Sequence, residues 1–483
     1  MGNRLIHLLA TLALAVSWAV EARADEIPVL GAGKRADPGV RAIDRTPVPP
    51  HSRVRPTALS AQGPSTLDVL KRLYRQGEID QIAYQGYREE YQDDKAFAAK
   101  LEGAREIAMR GALTNVDQIA ARGQLTASRL EPLWLILQRN REWWSTGPLL
   151  VPGQRVSFPK TELVFEYVSG EGLQIHPLAN FGKLNALWRS RVDRDRMREL
   201  MDELLAVAAW RSGSRAWEYY YDFGGGAPPW VSSLSQGTGL QSLARAATKA
   251  GVAADVLPEL AKGVKVFQRR TPAGVRVPVA GPGDHYAQYS FAPDLRILNG
   301  FIQSLVGLYD FATLAADDTA RALFEAGDDR AAVEIPTYDT GAWSLYSRGT
   351  SRRESNLNYH VVLRDFLTSL CDRTQERVPC GAEANFTRYL EESPVVRVRT
   401  RRLSPGEPGS VRFSLSKIAS VAVALERGGR TVYSSSTTRA YGRHALAVTP
   451  PKTARAYDVT TTATDLAGNS ATTTARIAIR PRK

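Results

Sequence analysis

The strongest constraint on this chain is a change of period at Pro394. Upstream, apolar residues recur at helical spacing. Downstream they alternate one by one in VVRVRTRRL, SVRFSLS, ASVAVALERGGRTVY and RAYDVTTTATDLAGNSATTTARIAI. A helical period buries a stripe and a two-residue period buries one face of a pleated sheet, so the two parts need different kinds of core. The downstream runs are short and parted by turn signals such as ERGGR and LAGNS, which predicts an immunoglobulin-like or fibronectin-like β-sandwich over 394–483.

The upstream part divides further. Ser65 can cap a helix in which Leu70, Leu73 and Tyr74 share a face, and LEGAREIAMRGAL and EPLWLILQRNREWW continue the pattern, predicting a helical region over 64–150. Between Pro152 and Val168 the runs VSFP and ELVFEYV alternate and predict a small β element. Helical periods then return from LQIHPLANFGKLNALW through NYHVVLRDFLTSL, with Phe301, Leu305 and Leu308 on one face of one helix. Helix after helix, joined by loops with polar and aromatic residues, predicts an α/α toroid over 151–393. The expected fold is thus multi-domain and mainly α: helices, a small β element and toroid, then an all-β sandwich.

The start of the chain reads as an export signal. Arg4 supplies a basic end, Leu5 to Val20 an apolar run, and Ala22-Arg23-Ala24 a small-residue cleavage pattern, so residues 1–24 are expected to be removed and the protein to be secreted, at the cell surface or periplasmic. Residues 25–63, with PVPPHSRVRP, read as a linker. Cys371 and Cys380, alone in the chain and close together, are expected to pair in an oxidising compartment. Six scattered histidines argue against zinc, and no metal site is expected.

The net charge of +13 is not spread evenly. Residues 395–483 hold 16 Lys and Arg against 4 Asp and Glu, almost the whole excess. On an exported protein a basic module points to an acidic glycan, a wall polymer or a membrane surface rather than to nucleic acid, and so to attachment through this region. Gly224-Gly225-Gly226 lacks the Lys-Ser/Thr or strand–GxGxxG–helix setting of a phosphate loop, so no nucleotide site is expected.

Four blocks carry a resemblance: IHPLANFGKLN (175–185), PWVSSLSQGTGLQSLARA (229–246), YAQYSFAPDLRILNGFIQSLVGLYDF (286–311), and YDTGAWSLYS (338–347) with SNLNYH (355–360). Their content and order resemble the D-glucuronyl C5-epimerase family, known from animal enzymes that convert glucuronic to iduronic acid in heparan-type chains. The resemblance implies C5 inversion of uronic residues in an acidic polysaccharide without a redox cofactor. Some members of the family carry structural calcium, but no acidic loop here is specific enough to indicate it. The reaction takes a carbon-bound proton from beside a carboxylate and returns one on the other face, so it needs two proton carriers and a group to disperse charge.

By position in the blocks, Tyr289, Tyr346 and Tyr359 match active-site tyrosines of the family and form the expected catalytic set. Gln288 stands where the family pattern has a glutamate and cannot take a proton, so it is expected to donate to the substrate carboxylate. Arg348, ahead of Arg352 and Arg353, is the expected carboxylate clamp. His360, Trp230, Gln236, His176 and Asn180 complete the expected substrate side. The glutamine leaves two further outcomes open: a lyase, since a C5 carbanion can expel the 4-linked sugar, and a glycan-binding protein without catalysis.

Overall fold

Two helices cross at the centre of the molecule with almost nothing between their backbones. The computed structural model describes residues 63–190 and 193–480; the expected export signal and all but the end of the expected linker lie outside them. The central helices are α7 (Ser233–Ala250) and α9 (Leu298–Ala315), both buried along nearly their whole length. A Cβ at Gly237 would stand 2.7 Å from the Cα of Ser304, and one at Gly307 would stand 2.2 Å from the carbonyl oxygen of Gly237. The glycines of SLSQGTG and SLVGLYD are therefore the crossing point of two helices, where a larger residue would force them apart.

Around this pair the chain is laid down in order. Four helices come first: α1 (Thr66–Arg75), α2 (Gln81–Ala98), α3 (Gly103–Ala121) and α4 (Ala127–Thr146). Ser65 and Asp68 exchange side-chain and backbone hydrogen bonds as a capping box that starts α1. Strands β1 (Arg155–Ser157), β2 (Val164–Val168) and β3 (Gly172–Ile175) form an antiparallel sheet. Then follow α5 (Pro177–Arg189), α6 (Arg194–Ala206), β4 (Ala209–Arg211), β5 (Ser214–Ala216), α7 and α8 (Ala253–Gln268). After α8 come β6 (Arg276–Pro278), β7 (Asp284–Tyr286), β8 (Leu295–Ile297), α9 and α10 (Asp318–Tyr338). The strands β9 (Leu345–Gly349) and β10 (Arg353–Glu354) precede α11 (Leu357–Thr374) and α12 (Arg377–Tyr389).

One apolar cluster takes in residues from Val69 to Tyr389 and reaches Ile418, so the first four helices and the central helices share a core. A buried ion network ties them as well. Glu218 accepts Nε and Nη2 of Arg129, on α4, at 2.6 and 2.8 Å, and Nη1 of Arg211 at 2.8 Å. Cys371 and Cys380 are bonded, joining α11 to α12.

The expected mainly α toroid is corrected by this architecture. Among the described residues helix makes up about 47% and strand about 24%, with short strands interrupting the helices in four places and a curled β-sheet at the C-terminal end. The interrupting strands are two to five residues long and leave too little alternation in the sequence to weigh against the helical periods around them. The helices, moreover, stack around a buried pair.

The C-terminal part holds a three-stranded sheet of β11 (Val396–Val398), β13 (Gly409–Leu415) and β16 (Gly442–Val448). A curled sheet of five follows the order β12 (Arg402–Leu403), β18 (Ser470–Ile479), β17 (Ala456–Asp465), β14 (Ala419–Arg427), β15 (Arg430–Arg439). Val411, Phe413, Val421, Val423, Val459 and Ile477 lie in the core that both sheets share. This arrangement replaces the expected immunoglobulin-like description. The region is fastened to the helices by several contacts: Ile418 joins the helical core, and Asn469 donates to the Leu390 carbonyl at 2.8 Å. Lys417, buried, donates to Asp465 at 2.7 Å, to the Tyr389 carbonyl at 2.7 Å and to the Glu392 carbonyl. Glu354 accepts the backbone N–H of Ile418 at 2.9 Å and of Tyr441 at 2.6 Å.

Candidate active site

Three separate pieces of chain bring the expected tyrosines together. Tyr289 follows β7 in a loop pinned to the start of α7: Ser290 N–H donates to the Val231 carbonyl at 3.0 Å, and Val231 N–H donates to Ser290 Oγ at 3.1 Å. Tyr346 stands on β9, which pairs with β8 on one side and β10 on the other. Tyr359 is in the first turn of α11, where its N–H donates to the capping Asn356 side chain at 2.8 Å. The Tyr346 and Tyr359 rings are 4.6 Å apart, and Tyr289 hydrogen-bonds to Tyr346 and interacts with Tyr359. Gln288 Nε2 donates to Tyr289 Oη at 3.2 Å.

Behind Tyr289 lies an aromatic wall. Phe223, Trp230 and Phe291 approach its ring at 5.4, 5.8 and 5.5 Å. Trp230 is 3% exposed, stacks on Tyr219 at 4.1 Å and spends its indole N–H on the Tyr221 carbonyl at 2.9 Å. It therefore supports Tyr289 from below and offers no open face to a sugar.

The guanidinium over the tyrosines belongs to Arg353, whose Cζ is 5.6 Å from the Tyr346 ring centre. Arg348 instead turns to α10, donating to the Thr337 carbonyl at 2.9 Å and lying over the Tyr338 ring. Sequence offered both arginines, but only the pairing of β9 with the two-residue β10 decides which one reaches the rings.

The electrostatics follow from burial. Tyr289 is pushed up to about 12, first by desolvation, then by Tyr359; hydrogen bonds from Gln288 and Tyr346 and the charge of Arg353 work the other way. Tyr346 is raised well above its ordinary value by burial and by the two neighbouring tyrosines, with Arg353 again opposing. Both hydroxyls therefore carry their protons at neutral pH. Two buried polar atoms at the cluster, Gln288 Oε1 and Arg353 Nε, have no hydrogen-bond partner among the described residues. Gln288 Oε1 is seated against Gly300, where a Cβ would come within 2.3 Å of it.

The remaining expected residues are occupied elsewhere. His360 is 0% exposed, stacks on Trp343 at 3.7 Å, and uses Nε2 on the Phe386 carbonyl at 2.9 Å and Nδ1 on Ser344 Oγ at 2.8 Å. Burial pushes it down to about 4, so it is neutral and holds α11 in place. Gln236 closes a two-way amide bond with the backbone of Trp217, and Asn180 does the same with Val164. His176 caps α5 by accepting the Ala179 N–H at 3.1 Å, with its edge toward Tyr219 and Glu166 nearby. Burial lowers its pKa.

Comparison with known proteins bears on the same segment. Residues 211–387 match the family model described as D-glucuronyl C5-epimerase C-terminus, a stretch that includes all three tyrosines but neither His176 nor Asn180. A D-glucuronyl C5-epimerase of Caenorhabditis elegans is 33% identical over 153 residues, 28% of this chain and 24% of the relative. The chain thus spans about a quarter of that relative's length. A solved structure of an engineered protein, 18% identical and covering 51% of this chain and 45% of that one, has a TM-score of 0.16 and carries no argument about the fold. The similarity of this chain to the D-glucuronyl C5-epimerases thus rests on residues 211–387.

Proposed function

We propose that the chain is an isomerase that inverts C5 of uronic acid residues in an anionic polysaccharide, at the cluster where Tyr289, Tyr346 and Tyr359 meet. The observation that carries the reading is that convergence, with Arg353 and Gln288 beside it. A uronate carboxylate placed there takes the Arg353 Nε–H and the Gln288 amide N–H, which are suited to an anion and to the charge that builds on the carboxylate as the C5 proton leaves.

The C5–H bond breaks with its electron pair delocalised into the carboxylate. The proton passes to a tyrosine oxygen already deprotonated, and a second, protonated tyrosine returns one to the opposite face. The resting arrangement supplies the donor readily, because Tyr289 and Tyr346 are protonated at neutral pH. Forming the base is the harder half, since burial disfavours tyrosinate and Gln288 offers no carboxylate. The Tyr346 and Tyr359 rings touch rather than flank a space, so the sugar must part them, exchanging hydroxyl–hydroxyl contacts for contacts to itself. The bonded pair Cys371–Cys380 supports placing this chemistry outside the cytoplasm, in an oxidising compartment.

The test is incubation with a heparosan-type polymer or polyglucuronate in deuterated water. Deuterium entering C5 with the chain length unchanged is the expected result. An unsaturated uronate with chain scission would replace the reading by a lyase, and neither signal from a protein that retains the polymer would reduce it to a binding site.

A further inference from the structure

The two outer faces of the C-terminal region are chemically opposite. On the five-stranded sheet, Thr460, Thr462 and Thr464 meet Thr474, Thr472 and Ser470 across strands in a hydroxyl ladder. On the three-stranded sheet the inward residues are Val396, Val411, Phe413, Leu415, Leu446 and Val448, and the alternation sends arginines outward. Arg397 is the partner of Ser414, and Ser414 of Arg443, making one cross-strand row. In the next row Arg399 donates its N–H to the Arg412 carbonyl. None of the residues in β11, β13 or β16 is Asp or Glu, and no described ion pair includes any of the four arginines. With strands about 4.8 Å apart and same-face residues roughly 6.8 Å apart, four guanidiniums share a patch about 10 Å across.

Contacts at Tyr441 bring this patch near the tyrosine cluster. The Tyr441 N–H is held by Glu354, the neighbour of Arg353, and the Arg352 guanidinium lies 5.3 Å over the Tyr441 ring. Tyr441 immediately precedes β16, two residues before Arg443. From Arg353 over the tyrosines, the positive charges run through Arg352 to Arg443 and out across the sheet.

We infer that this arginine track binds the part of an anionic polysaccharide chain that extends beyond the reacting residue, through its carboxylate or sulfate groups. The inference rests on the cleft acting on such a polymer. A linear polymer with an acidic group on each repeat meets guanidiniums in rows, each able to take two oxygens. The outward face of the other sheet carries its hydroxyl ladder beside charges of both signs, with Asp458 opposite Arg476 and Glu426 accepting from Thr460, and offers no row of one sign.

The test uses the full chain with Arg397, Arg399, Arg412 and Arg443 all changed to Ser, and measures retention on immobilised heparin and polyglucuronate against salt. The expected result is elution at lower salt and a log–log salt slope reduced by roughly one per arginine, by the counterion argument that holds for dense polyanions. Lysine at the same four positions should recover much of the retention, which separates lost charge from a lost fold. Removing the same charge elsewhere, with Arg427, Arg430, Arg455 and Arg480 changed to Ser, should do far less. Equal loss in both variants would overturn the inference in favour of diffuse charge, as would undiminished retention in the first. Equally strong, equally arginine-dependent binding of duplex DNA or anionic vesicles would overturn the polysaccharide assignment. Absence of C5 exchange in the unsubstituted protein would remove the proposed reaction and leave the retention result standing.

Discussion

Tyr359 and His360 are adjacent in sequence and face opposite fates. On the tyrosine side, Tyr359 is 39% exposed, and the polar atoms near the cluster include two, Gln288 Oε1 and Arg353 Nε, with no partner among the described residues. On the seam side, His360 is 0% exposed with both ring nitrogens engaged, and Lys417 reaches a carboxylate and two carbonyls above the Trp343 ring. The seam has satisfied its polar groups internally and is built to hold. The cleft has left some of its groups for something else to satisfy, which is how a receiving site differs from a structural one.

Tyr359→Phe breaks the comparison most sharply if it is wrong. On the tyrosine side it removes a proposed proton carrier and should lower C5 exchange by about 100-fold or more, while thermal unfolding shifts within about 0.5 kcal/mol. Exchange that persists at the original rate would take Tyr359 out of the chemistry.

Lys417→Ala is the matching change on the seam. It leaves Asp465 buried beside two unpaired carbonyls and should cost about 3–5 kcal/mol in urea unfolding. A loss under about 1 kcal/mol would mean the seam is not held by this contact.

Glu354→Gln should have the smallest effect and sharpens the boundary between the two sides. Its carboxylate accepts two backbone N–H groups, and an amide can accept only where its oxygen points, so one donor is lost at about 1–3 kcal/mol. Burial raises Glu354 to about 7 from its usual 4.5. The folded state therefore holds this proton more tightly than the unfolded chain, and the contribution present at low pH is lost as pH rises from about 4.5 through 7. Denaturation across that window should slope downward in the unsubstituted protein and flatten in the variant.

What sequence made legible follows from what repeats in it. The C-terminal strands run seven to ten residues over most of their number, long enough for alternation to declare them, and the helical periods likewise declare the long helices. The two-residue β10 declares nothing, yet it decides that Arg353 and not Arg348 faces the tyrosines. The family blocks located the tyrosines, whose meeting depends on a loop, a strand and a helix start that are far apart in the chain. The same blocks also contain Asn180 and Gln236, which close amide bonds to backbone, and Gly237 and Gly307, which let two helices touch. A motif records that a position matters but not whether the side chain faces a ligand or its own fold, because which partner takes each polar atom is settled only in three dimensions.

The hairpin of β9 and β10 carries Tyr346 and Arg353 toward the cleft and offers Glu354 to two amides of the tail. The tail is thus a splint for part of the tyrosine cluster as well as a neighbour to it. A shortened chain ending at 393 would turn over even the smallest substrate poorly, and grafting the tail onto another protein would leave a gap behind. The two halves have to travel together.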